Sequence, residues 1–208
     1  MRGDLGSPDQ RGFLFDLDGT VTEEEILPVI AREAGLEEEI RLLTDLTVSG
    51  AIPFAVSFRL RVALLRDVPL DRIHAAVRAV PLNRQLLDII ERHPDRCAVV
   101  TGNLDLWISP LIERMPCRVL SSTGSIASSG ACQVDGIMDK GQAVEALRRQ
   151  YGAIVAIGDG ANDVSMFRAA DFGIAYGGVH RPAPMLVEVA DMVCLESGAL
   201  CRLLNMLL

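Results

Sequence analysis

Asp16 and Asp18 stand two residues apart in the run Phe15-Asp16-Leu17-Asp18-Gly19-Thr20. Carboxylates this close repel each other unless a cation or a proton relieves them. That tension suits phosphoryl transfer, in which one carboxylate attacks phosphorus while its neighbour moves a proton. The plainer reading is a turn whose aspartates cap a helix. Residue usage alone yields D-x-D-G-T in such a chain with a probability on the order of a few in a thousand.

A second acidic run reads Gly158-Asp159-Gly160-Ala161-Asn162-Asp163. Its glycines let backbone approach a ligand closely, and Asn162 is placed to open a helix as its N-cap. Asp159 and Asp163, four apart across a strand-to-helix turn, can face one pocket. Hard carboxylate oxygens with water are what Mg2+ prefers. The run also fits a capped loop, but beside Asp16 and Asp18 it reads as a metal site. Between the two runs, Val100-Thr101-Gly102-Asn103 offers a hydroxyl and backbone N–H groups to an anion. Lys140 opens a helix directly after Asp139, where the helix dipole does not favour an ammonium, so a phosphate or carboxylates suit it better. Taken singly, Thr101 reads equally as a helix cap and Lys140 as a solvated side chain.

These residues need strands to carry them. Short apolar runs without alternation at 13–17, 97–101, 118–121, 153–158, 172–176 and 192–195 predict strands buried on both faces. Helical spacing fills most gaps: Leu86, Leu87 and Ile90; Leu104, Ile108, Leu111 and Ile112; Ala143, Val144 and Leu147. Alternation of this kind predicts an α/β fold with a parallel sheet covered by helices. Ligands gather at the carboxyl ends of such strands, and strand alternation would set Asp16 and Asp18 on one side. From about 24 to 80 there is only helical pattern, punctuated by Pro28, Gly35, Gly50, Pro53, Pro69 and Pro81. It predicts a small helical module inserted after the first strand. The stretch 121–130, rich in Gly and Ser, predicts a loop or short hairpin.

The chain has 208 residues, 50% of them hydrophobic and 23% charged, with a formal net charge of −8. One domain, or one with a modest insertion, is expected. The acidic balance argues against nucleic acid or an anionic membrane as partner. Five cysteines, odd in number and without a C-x-x-C pair, predict neither a disulfide framework nor a zinc knuckle. Residues 1–12 lack the apolar stretch of a signal peptide, and no uncharged apolar run is long enough to span a bilayer. A cytoplasmic protein, monomer or homodimer, is expected.

The order Asp-x-Asp, Thr, Lys, Asp-x-x-x-Asp along an alternating α/β chain resembles the haloacid dehalogenase superfamily, from Gly12 to the C-terminus. The resemblance is closer still to its phosphoserine phosphatase branch. It is carried by Gly158 to Phe167 and by Glu25, the run Ile30-Ala31-Arg32-Glu33-Ala34-Gly35, Phe54, Arg61, Leu64-Leu65 and Pro69. The resemblance implies a three-layer Rossmann-like core over 12–22 and 81–208, a helical C1-type cap over 23–80 and a flexible N-terminus over 1–11. It implies a Mg2+-dependent phosphatase, with Asp16 as nucleophile forming an aspartyl-phosphate. Asp18 would protonate the leaving oxygen and then activate water. Thr101 would hydrogen-bond the phosphoryl group, and Lys140 would balance its charge. Asp159, the Asp16 side chain and the Asp18 carbonyl would hold Mg2+, with Asp163 and Asn162 supporting the site. Glu25 and Arg61 would read the amino and carboxylate groups of phosphoserine, beside Gly102, Asn103 and Asn162.

Two departures stand out. Asn103 occupies a place where the family usually has a second glycine, and the segment 121–138 is short for the family's hairpin. Related caps handle other small phosphorylated metabolites, including phosphohomoserine, ketose-type and sugar phosphates, and a phosphotransferase is a further alternative. A phospho-acceptor domain of the receiver type also clusters Asp, Thr and Lys. Such domains lack a helical insertion after the first strand and a late acidic loop, and this chain has both.

Overall fold

The structure is a computed structural model that describes residues 5–48 and 51–208. Among the described residues, β1 (Arg11–Phe15), β2 (Cys97–Leu104), β3 (Arg118–Ile126), β4 (Cys132–Gly136), β5 (Ala153–Gly158), β6 (Phe172–Tyr176) and β7 (Met192–Cys194) form one sheet, ordered β4-β3-β2-β1-β5-β6-β7. Every neighbouring pair is parallel except β3 with β4. Phe13 sits opposite Cys97 on one side and Val155 on the other. The order reverses at β1, so its carboxyl end, with those of β2 and β5, opens on a crevice where ligands collect.

Burial explains the runs without alternation. Every residue of β2 and β5 is buried. Successive residues still serve opposite faces: Phe13, Phe15, Val99 and Ile157 join one cluster, and Leu14, Val100, Ile154 and Ala156 the other.

Between β1 and β2 run α1 (Ile26–Ala34), α2 (Glu37–Val48), α3 (Phe54–Leu65) and α4 (Leu70–Arg78). They are followed by α5 (Arg84–Arg92). Beyond β2 come α6 (Asp105–Ile112), α7 (Lys140–Leu147), α8 (Val164–Ala169), α9 (Pro184–Val187) and α10 (Ser197–Leu207). Leu86, Ile89, Trp107, Leu200 and Leu204 cover the first face, while Val144, Leu147, Met166 and Phe167 cover the second. Each fully buried Leu or Ile there contributes about 1.5–3 kcal/mol relative to exposure. Ile26, Ile30, Phe58, Leu65, Ile73 and Val77 extend the first cluster into the inserted helices. The insertion leaves and rejoins the sheet through a narrow pairing: Thr22 bridges Leu82, Asn83 N donates to Val21 O at 2.8 Å, and Glu23 N to Pro81 O at 2.9 Å.

Several boundaries differ from the sequence reading. β2 continues to Leu104, so Thr101, Gly102 and Asn103 lie within a strand whose pairing with β3 shifts register between Val100 and Leu104. The Gly/Ser-rich stretch is a hairpin: β3 runs on to Ile126, and β4 returns beside it. Of the expected N-terminus, residues 1–4 lie outside the described residues, and Pro8–Gln10 make one 3-10 turn. Arg11 already belongs to β1. No described helix is long and apolar enough to cross a membrane.

Candidate active site

β1 ends at Phe15, yet Asp16 N still donates to Ile157 O at 2.8 Å, which places the Asp16 carboxyl at the end of β5. The chain then turns through Leu17–Val21 rather than continuing as a strand. Turn geometry, not strand alternation, therefore brings Asp16 and Asp18 to the same crevice. Gly19 makes the turn possible at φ +68°, where a Cβ would lie 2.5 Å from Asp159 Oδ2.

Asp16, Lys140 and Asp163 meet below the crevice, and all three are buried. Lys140 Nζ donates to Asp16 Oδ1, and to Asp163 Oδ1 at 2.6 Å. The Lys140 side chain is launched from the first turn of α7, whose N-cap Asp139 accepts from Gly141 N at 2.9 Å and Gln142 N at 3.1 Å. Attraction to the two carboxylates outweighs burial and raises the Lys140 pKa, so it stays an ammonium.

Asp163 spends its second oxygen on backbone, accepting from Asp159 N at 3.1 Å and Gly160 N at 2.9 Å. This corrects the expected N-cap: the turn Ala161–Asp163 begins after Gly160, and Asn162 lies inside it. The Asp163 carboxylate outcompetes the Asn162 amide for the free N–H groups. Asn162 instead lines the cavity with Ala161.

Carboxylate oxygens of Asp16, Asp159 and Asp163 lie within 4.8 Å of one another. Burial pushes the Asp16 carboxyl well up, and Asp163 adds to it. Burial first, then Asp163, pushes Asp159 up to about 8. One ammonium does not offset this much clustered negative charge, and a divalent cation fits the surplus. Both Asp163 oxygens are committed, one to Lys140 and one to two amides, so Asp159 and Asp16, which gives only Oδ1 to Lys140, are the carboxylates that could hold such a cation.

These shifts have a measurable consequence. A carboxyl raised in the folded state keeps a proton that the unfolded chain gives up, so stability is lost as pH rises. Without added metal, melting temperature should fall from about pH 4, above the ordinary value of 3.8, through about 6 for Asp18 and about 8 for Asp159. A melting temperature that climbs across that window would remove the electrostatic account.

Asp18 is held at both oxygens. Oδ1 accepts from Ile26 N at 2.8 Å, at the start of α1, and Oδ2 accepts from Asn103 Nδ2. Burial, then the nearby Glu25, raises Asp18 to about 6. Thr101 is buried, and its Oγ1 accepts from both Asn103 N and Asn103 Nδ2 at 3.1 Å.

Asp16, Asp18, Glu25, Arg61, Gly102, Asn103, Asp159 and Asn162 all line one cavity of about 390 Å³. Every expected substrate residue thus reaches the same space; Thr101, Lys140 and Asp163 are buried behind it and do not line it, Thr101 bonding Asn103 while Lys140 bridges Asp163 to Asp16. Glu25 is half-buried, just before α1, and Arg61 is buried on α3. Burial pushes Glu25 up and Arg61 down, each against the attraction between them. Arg61 donates to Thr44 Oγ1 at 3.4 Å and stacks 5.9 Å from the Phe54 ring centre, while its Nε has no partner among the described residues.

One contributor, Ser122, escaped the sequence reading, and Phe54 entered it only through the family resemblance, without a role. Ser122 on β3 donates to Gly102 O at 2.7 Å and accepts from Met138 N at 3.0 Å, pinning the bulge in β2. Phe54 covers Gly102, where a Cβ would come within 2.7 Å of its ring. A serine inside an expected strand or loop carries no local signal for such a role.

A haloacid dehalogenase-like hydrolase family model matches residues 13–168, spanning every site segment described. This chain belongs to the haloacid dehalogenase-like hydrolases. Within them it is similar to phosphoserine phosphatases. It is 32% identical to the phosphoserine phosphatase of Methanocaldococcus jannaschii, over 92% of this chain and 95% of that protein. It is also 32% identical to phosphoserine phosphatase SerB2 of Mycobacterium tuberculosis, over 88% of this chain but 47% of that longer relative. Among solved structures, a substrate-bound phosphoserine phosphatase complex matches with a TM-score of 0.79 and 29% identity, over 95% of this chain and 97% of that one.

Proposed function

We propose that this chain is a Mg2+-dependent phosphomonoester hydrolase that works through an aspartyl-phosphate on Asp16 and acts on phosphoserine or a similar small amino-acid phosphate. The observation that carries the reading is Lys140 bridging Asp16 and Asp163 beneath a cavity that Asp18 and Asp159 also reach. In this reading residues 23–80 form the helical cap over a core of 12–22 and 81–208.

Asp16 and Asp159, with the Asp18 carbonyl, would hold the cation. When bound, Mg2+ supplies positive charge against the phosphoryl oxygens and keeps the clustered carboxylates ionised. Asp16 attacks phosphorus as the ester P–O bond breaks, and Asp18 gives its proton to the departing alkoxide. Its raised pKa, about 6, keeps a useful protonated fraction near neutrality. Asp18 then takes a proton from water as that water attacks the aspartyl-phosphate, releasing inorganic phosphate and restoring Asp16. Thr101 and Lys140 hold the phosphoryl charge through both steps.

Stripping divalent ions should abolish phosphate release from L-phosphoserine, and Mg2+ should restore it. Mg2+ should also raise the melting temperature without substrate. Phosphate release that survives chelation would sink the metal assignment. With an acceptor alcohol present, a hydrolase still yields mainly inorganic phosphate; a phosphorylated alcohol as main product would favour the transferase.

Arg61 supports an amino-acid substrate: a buried guanidinium with an unused Nε faces a cavity that also holds Glu25. A charged hydrogen bond contributes about 1.5–3 kcal/mol, so Arg61→Ala should raise KM for phosphoserine roughly 10- to 100-fold. Turnover of p-nitrophenyl phosphate, which lacks a carboxylate, should change by less than about threefold. Equal losses on both substrates would count against carboxylate recognition.

A further inference from the structure

Asn103 stands where the resembled family usually has glycine, and its side chain does not project idly into the cavity. Its Nδ2 donates to Asp18 Oδ2 and, at 3.1 Å, to Thr101 Oγ1, while its backbone N donates to the same hydroxyl at 3.1 Å. The residue is buried. Its carboxamide therefore joins two groups that a glycine at this position would leave independent.

The hydrogen-bond inventory gives this arrangement direction. A hydroxyl oxygen has two lone pairs and one hydrogen. Both Thr101 lone pairs are taken by Asn103, so the hydroxyl can act toward a ligand only as a donor, the polarity a phosphoryl oxygen needs. Asp18 is constrained in the same way, with Ile26 N on Oδ1 and Asn103 Nδ2 on Oδ2. Its carboxyl plane is set from two sides. Loss of either contact frees rotation about the Cβ–Cγ bond.

We infer that Asn103 is a positioning residue of this enzyme, holding Asp18 oriented for proton transfer and Thr101 as an obligate donor. The inference rests on the phosphoryl-transfer reading above and adds a residue to it. Asn103 acts through Asp18 and Thr101 and does not itself exchange a proton.

Leaving groups separate this role from simple packing. The serine alkoxide needs a proton as it departs, whereas nitrophenolate leaves as an anion near neutral pH. A positioned acid contributes 10²- to 10⁴-fold, and misorienting it forfeits part of that. In Asn103→Ala and Asn103→Gly, kcat/KM, which reports phosphoryl transfer to Asp16 and not the later hydrolysis common to both substrates, should fall about 30-fold or more for phosphoserine and by roughly a tenth as much for p-nitrophenyl phosphate. KM for phosphoserine should shift by less than about threefold. Equal kcat/KM losses on both substrates, or a loss confined to KM for phosphoserine, would overturn the inference. Wild-type turnover of the two substrates tests the phosphatase reading separately, before any variant is compared.

A measurement without turnover guards against a variant that fails to fold. In the wild-type protein the Asn103 side-chain amide should show one strongly downfield Nδ2 proton by 1H–15N spectroscopy, which moves upfield in Asp18→Ala. An Asn103 amide with ordinary shifts, unmoved by that substitution, would equally overturn it.

Discussion

Asp16→Asn should release no phosphate above background, a loss of roughly 10⁴-fold or more, as expected when a covalent nucleophile is removed. An amide oxygen cannot form the acyl-phosphate, so the loss belongs to the chemical step and not to binding. The fold should survive. The replacement can still accept from Lys140 Nζ, and it removes the repulsion that Asp163 and Asp159 exert on Asp16. Without added metal, the variant should therefore melt no lower than the wild type. Circular dichroism and a thermal melt establish the fold, and phosphate release reports the chemistry. A folded Asp16→Asn protein retaining even a hundredth of wild-type turnover would place the nucleophile elsewhere.

The second large effect falls on stability as well as rate. Lys140 is buried between Asp16 and Asp163, each of them almost wholly excluded from solvent. Replacing one partner of a buried ion pair strands the other charge, at about 3–5 kcal/mol. Lys140→Met keeps the length and apolar stem but removes the ammonium. Its unfolding free energy in denaturant should drop by about that amount near pH 8 without added metal. The deficit should narrow toward pH 4 as the Asp16 carboxyl, raised by burial, takes up its proton. Turnover should fall roughly 10²- to 10³-fold, the cost of losing one preorganised donor to developing charge. A stability change below about 1 kcal/mol would show that the carboxylates do not depend on the ammonium.

The parts of this site that are local in sequence were the legible ones. Asp16 with Asp18, and Asp159 with Asp163, declare themselves because two acids a few residues apart at a strand end have few benign explanations. Thr101 and Lys140 are ordinary residues taken singly, and their order along the chain gave them roles. The Asn103 contact with Asp18 spans 85 positions, and no spacing rule connects them. Strand positions followed from continuous apolar runs in β1, β5 and β6, which are buried on both faces. β4 escaped because only Cys132 is fully buried and the strand pairs along one edge. Asn162 illustrates a local preference overridden by a stronger acceptor: Asp163, one residue on, gathers the N–H groups that Asn162 was expected to help satisfy.

The strand order has a consequence for biogenesis. β1 is translated early but lies at the middle of the sheet, between β2, which starts at Cys97, and β5, which starts at Ala153. The first ladder edge of β1 therefore waits until β2, at Cys97, has been made, and the second until β5, at Ala153. Until β2 is made, an apolar segment with two open edges is exposed, and one edge stays open until β5 follows, the condition that recruits chaperones and favours misassociation. Nascent chains stalled before about residue 150 should be protease-sensitive throughout, and the enzyme should gain activity in one late step rather than by stages.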